Sequence, residues 1–150
     1  MPVWFDGSNQ IDCSIQDVKR ALADPGELSL GVVRLLPGMT SVELLDKSPG
    51  SITIQTNEGT MTRTAITVQL DADPVTVELD EQYEAGTKVT THAHFRDEFT
   101  PTENGVSHRL IISDVTASGL LGFFYRRLGS AKMGGAFQAA YATYLENAKP

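Results

Sequence analysis

Cysteine is almost missing from this 150-residue chain. Cys13 stands alone, which excludes an intrachain disulfide and suits a reducing compartment. A lone thiol can be a nucleophile, but a small buried hydrophobe is the plainer reading. Basic residues are few and scattered: 12 Lys and Arg against 19 Asp and Glu leave a formal net charge of −7. Without a clustered basic patch, nucleic acid is not the expected partner. No window approaches the roughly 20 consecutive apolar residues of a membrane-spanning helix. The start, Met1-Pro2-Val3-Trp4-Phe5-Asp6-Gly7, has no basic stretch leading into an apolar run, so no secretory signal is expected. Repeats, low-complexity tracts and long Pro/Gly/Ser linkers are missing too. So are the Gly-x-Gly-x-x-Gly, Walker and Gly-x-Ser-x-Gly patterns, and no metal or cofactor is expected. What remains is the balance of a globular protein, 41% apolar and 21% charged. The expectation is one cytoplasmic domain over residues 1–150, with room for a homodimer.

The chain divides by hydrophobic period. Ser14-Ile15-Gln16-Asp17 is a helix-start signal, and Ile15, Val18, Ala21 and Leu22 follow at helical spacing. Asp24-Pro25-Gly26 ends that helix, and a second short helix is expected from Glu27 to Leu36, before Pro37-Gly38. The middle alternates apolar with polar: Val42 and Leu44, Ile52 and Ile54, Ile66, Val68 and Leu70, then Val75, Val77, Leu79 and Tyr83. Period two marks strands with one wet face, and the short turns between them make an antiparallel meander. From Leu120 the period becomes helical, through Leu121, Phe123, Phe124 and Leu128 to Met133, Phe137, Tyr141 and Tyr144. Gly129, Gly134 and Gly135 predict a bend or break in this helix of some 25 residues.

That order resembles the helix-grip fold of the START-like (SRPBCC) superfamily, which includes lipid-transfer domains, pollen-allergen relatives and polyketide cyclase/dehydrase-like proteins. The resemblance rests on Val18-Lys19-Arg20-Ala21-Leu22-Ala23-Asp24-Pro25, on Leu35-Leu36-Pro37-Gly38-Met39 followed by Val42-Glu43-Leu44, and on the helix ending Phe137 to Glu146. The Leu-Pro-Gly stretch is also similar to the carbon-monoxide-dehydrogenase accessory branch. The first strand, Phe5 to Ile11, is short and polar where that superfamily has a clear alternating segment. The resemblance implies an α+β fold, with a curved antiparallel sheet of six to seven strands wrapped around a long C-terminal helix. Between them it implies a cavity for a hydrophobic small molecule.

Hairpin parity predicts which side chains face that cavity. A two- or four-residue loop at Asn104-Gly105 puts Val89, Ala93, Phe95 and Phe99 on one face with Val106, His108, Leu110, Ile112 and Asp114. His92 and His94 fall on the opposite, wet face, where two solvated imidazoles are a simpler reading than a zinc site. The expected ligand-binding set is Ile66, Val68, Val77, Tyr83, Phe95, Phe99, His108, Leu110, Phe137 and Tyr141. Within it His108, near Asp114, is the candidate base; a satisfied core histidine is the competing reading. Arg126 and Arg127 suit a carboxylate clamp but equally the solvent face of the helix. The acidic run Asp71, Asp73, Glu78, Asp80, Glu81 and Glu84 lacks calcium-loop spacing and reads as a solvated face. Binding of a lipid, acyl chain or polyketide-like molecule is the leading function. The alternatives are a cyclase/dehydratase using His108 and an assembly protein.

Overall fold

The computed structural model describes residues 2–85, 89–117 and 129–148. The first strand is longer than expected: β1 runs Val3–Ile11, followed by helices α1 (Ile15–Leu22) and α2 (Pro25–Arg34). Six strands follow: β2 (Val42–Ser48), β3 (Ser51–Thr56), β4 (Gly59–Gln69), β5 (Val75–Ala85), β6 (Val89–Thr102) and β7 (Gly105–Ala117). Helix α3 (Ser130–Asn147) completes the described fold. The expected helical residues Leu120 to Leu128, with Arg126 and Arg127, lie outside the described residues.

Local chemistry explains the helix boundaries. Ser14 caps α1 through a reciprocal box: its hydroxyl accepts from the Asp17 backbone N–H at 3.1 Å, and the Asp17 carboxylate accepts from the Ser14 N–H at 2.9 Å. Asp24-Pro25, expected as a stop, is also the start of α2: Asp24 accepts from the Glu27 N–H at 3.2 Å and Pro25 opens the first turn. Gly129 precedes α3, but the helix runs unbroken through Gly134 and Gly135, contrary to the expected bend. Gly134 serves close packing instead, since a Cβ there would run into the Phe5 ring of β1.

All strands join one antiparallel sheet in the order β1-β7-β6-β5-β4-β3-β2. The β6–β7 hairpin sets Pro101 opposite Val106, Phe99 opposite His108 and Phe95 opposite Ile112, in the expected parity. Beyond His94 a bulge shifts the register, and Asp114 takes φ 56°. That left-handed backbone is tolerated by Asp better than by most residues. A second bulge follows Thr64 in β4, with Ala65 at φ 52°. The sheet's inner face packs on all three helices. Its core includes Ile11, Val18, Leu22, Ile52, Ile54, Phe99, Leu110 and Leu145, all buried.

Candidate functional site

The inner face of the sheet has two ends. On β5, side chains alternate so that Val75, Val77, Leu79, Glu81, Tyr83 and Ala85 share that face, paired with Phe99, Asp97, Phe95, Ala93, Thr91 and Val89 of β6. From Val75 to Leu79 the surface is closed. From Glu81 to Ala85 it opens into a cavity of about 250 Å³.

The sheet contributes Trp4 (β1), Met61 (β4), Tyr83 and Ala85 (β5), Ala93 and Phe95 (β6), and Ile112 and Val115 (β7) to that cavity. Helix α3 contributes Met133 and Phe137, and the segment after α2 contributes Leu36 and Met39. Polar groups enter at few points: Glu58, Glu81, Thr91 and His92, with the Tyr83 hydroxyl 2.7 Å from Thr56 Oγ1. An apolar wall with a few placed polar groups is the usual make-up of a small-molecule pocket.

Phe95 and Phe137 close the inner end of the cavity, edge to face with ring centroids 5.2 Å apart. Arg63, 1% exposed, lies against both rings, its guanidinium carbon 5.2 Å from the Phe95 centroid and 5.6 Å from that of Phe137. Arg63 Nε donates to Glu81 Oε1 at 3.0 Å and Nη1 to Ser29 Oγ at 3.3 Å. Burial opposes the charge on Arg63, but the carboxylate of Glu81 outweighs it and holds the guanidinium protonated. One carboxylate therefore serves both as the partner of a buried cation and as part of the cavity lining.

Beyond this wall lies a second polar cluster. His108 Nε2 donates to Asp97 Oδ1 at 2.7 Å, and the Tyr141 hydroxyl donates to Asp97 Oδ2 at 3.3 Å. The Phe99 ring stacks on the imidazole at 4.7 Å between centroids, with the planes 6° apart. Burial pushes the Tyr141 phenol well above its ordinary range, and the Asp97 charge adds to the push.

Of the expected ligand-binding set, Tyr83, Phe95 and Phe137 line the cavity. Ile66, Val68, Val77, Phe99, His108, Leu110 and Tyr141 do not. The six strand residues lie towards the packed end of the sheet, and Tyr141 of α3 packs there against Phe99. The carboxylate partner of His108 is Asp97, not Asp114, because the β7 bulge turns Asp114 out to solvent. His94 lies on the outer face, bonded to Asp80 at 2.9 Å and Glu78 at 3.3 Å, whereas the exposed His92 reaches the cavity rim. Among the described residues no cluster of His, Cys, Asp or Glu is arranged to hold a metal. Asp97 and Arg63 were missed because inner-face positions were chosen by apolar character. Parity alone, extended through Asp97, would have found the first.

A seven-stranded antiparallel sheet packed on a C-terminal helix, with two short helices between the first and second strands, is a helix-grip α+β fold. Solved structures share it across nearly the whole chain. A conserved protein from Geobacillus kaustophilus matches at TM-score 0.66 and 18% identity, covering 95% of this chain and 94% of that one. The Zhui aromatase/cyclase from Streptomyces sp. R1128 matches at TM-score 0.62 and 13% identity, covering 95% and 92%. A START superfamily protein from Mycobacterium smegmatis matches at TM-score 0.61 and 12% identity, covering 97% and 98%. No family model and no curated protein matches the sequence. Among the described residues no helix is long and apolar enough to cross a membrane.

Proposed function

We propose that this protein binds a hydrophobic small molecule between the sheet and α3. The observation that carries this reading is the cavity itself: about 250 Å³ walled by Trp4, Met61, Tyr83, Phe95, Met133 and Phe137. Each 100 Å² of ligand apolar surface moved into such a wall is worth about 2.5 kcal/mol before the costs of association. Affinity therefore needs no catalytic group. Structural neighbours whose own names are aromatase/cyclase and STAR-related lipid transfer protein support a hydrophobic ligand, though their identity to this chain is only 13% and 12%. The volume sits just below the usual range of about 300–1,000 Å³ for drug-sized ligands. A compact ring system fits better than a long acyl chain.

Native mass spectrometry against a panel of fatty acids, sterols and small aromatic polyketides tests the proposal. The expected result is retention of one or more compact apolar ligands at micromolar concentration. Retention of none, with the protein folded, would refute it.

A further inference from the structure

Among the described lining residues of the cavity the carboxylates Glu58 and Glu81 are the acidic groups, and there is no lysine or arginine. The buried cation nearest to it, Arg63, is already held by Glu81, with Nη2 2.9 Å and Nε 3.0 Å from Oε1. Glu58 is different. It is exposed in the turn between β3 and β4, and no cation pairs with it among the described residues.

Resting on the reading of the cavity as a ligand site, we propose that its ligand is a compact apolar amine, with the ammonium placed at Glu58 and the ring system against Phe95 and Phe137. Two rings complete the cation's surroundings. Trp4 and Tyr83 line the same space, and aromatic rings attract cations placed over their faces. Tyr83 lies in the field of both carboxylates. Burial pushes its phenol up against the bond from Thr56, and the charges of Glu58 and Glu81 push it further. Both carboxylates thus act on the hydroxyl that lines the cavity. An amine gains from this field, and more so where the apolar wall lowers the local dielectric. A carboxylate of the same shape loses on both counts, and the net charge of −7 adds to its penalty.

The test uses three probes with one ring system: naphthylmethylamine, naphthylmethanol and naphthoate. Occupancy is read by isothermal titration calorimetry, because naphthyl rings absorb and emit in the same range as Trp4 of the cavity wall. Titrations are run at pH 8 and low salt. The expected order is amine, alcohol, carboxylate, with the amine at least tenfold tighter than the alcohol at low salt. Glu58→Gln should bring the amine to the affinity of the alcohol. Glu58→Lys should favour naphthoate. Glu58 is exposed, so both variants should keep the wild-type melting temperature.

Equal binding of amine and alcohol, or tighter binding of naphthoate by the wild type, would overturn the charge preference while leaving an apolar site in place. An amine preference untouched by Glu58→Gln would overturn the assignment to Glu58. Failure of all three probes to bind would overturn this proposal and the ligand site together.

Discussion

Along β5 the same inward alternation yields two different surfaces. Val75, Val77 and Leu79 are each 3% exposed, whereas Tyr83 and Ala85 are half-buried and wall a cavity. The strand pairing is identical at both ends, running without interruption from Val75↔Phe99 to Ala85↔Val89. The difference is what faces the sheet. Towards Val75, helix α1 and the later turns of α3 meet it, with Tyr141 and Leu145 buried. Towards Ala85, the first turns of α3 offer Met133 and Phe137, and the small side chains Ala85 and Ala93 leave the space between unfilled. A continuous sheet can thus be core at one end and receptor at the other.

The comparison breaks most visibly at the packed end. Asp97→Ala should leave the His108 Nε2–H and the Tyr141 hydroxyl buried without their acceptor and cost about 3–5 kcal/mol. Urea unfolding measures it, and a loss under about 1 kcal/mol would mean that this end is open to water. Phe99→Ala should cost about 3–5 kcal/mol by removing a ring stacked in a filled core. Met133→Ala, in the half-buried cavity wall, should cost only about 1 kcal/mol. Equal costs for these two would erase the distinction between the ends.

Filling the open end sharpens the contrast without touching the core. Ala93→Leu adds bulk inside the cavity, so naphthylmethanol should bind at least tenfold more weakly while the melting temperature holds. Unchanged affinity would place the ligand elsewhere.

The smallest effect belongs to the outer face. Burial opposes charge on His94, but the bonds to Asp80 and Glu78 outweigh it, so its pKa is raised. A raised folded value stabilises the protein fully below the ordinary imidazole pKa, and the gain is lost as pH rises through the folded value. Because the partners are exposed and screened, the effect should be a few tenths of a kcal/mol. Wild type and His94→Gln should differ slightly in urea unfolding at pH 5 and converge at pH 9; a gap that widens with pH would reverse the sign.

Much of this architecture was legible in the chain. Period-two alternation locates the strands, and hairpin parity puts Phe95, Phe99, His108 and Ile112 on one face, as the β6–β7 pairing does. Parity failed beyond His94, because a bulge at a non-glycine residue such as Asp114 leaves no mark on hydrophobic period. Polarity misled the choice of interior residues: Asp97 and Arg63 are buried with partners on other strands and helices, and such pairing is a tertiary fact. The filled and open ends were likewise not separable, since Val77 and Tyr83 fall on the same alternation of β5. Three of the ten expected binding residues therefore met the cavity: Tyr83 and Phe95 from the sheet and Phe137 from α3.

Methyl resonances offer the most direct test of the two-ended sheet. With naphthylmethanol added to saturation, the account predicts shifts at the methyls of Met61, Ala93, Ile112 and Met133, and unmoved signals from Val75, Val77, Leu79 and Leu110. Perturbation centred on Val77 and Leu110, with Met61 and Met133 silent, would contradict it.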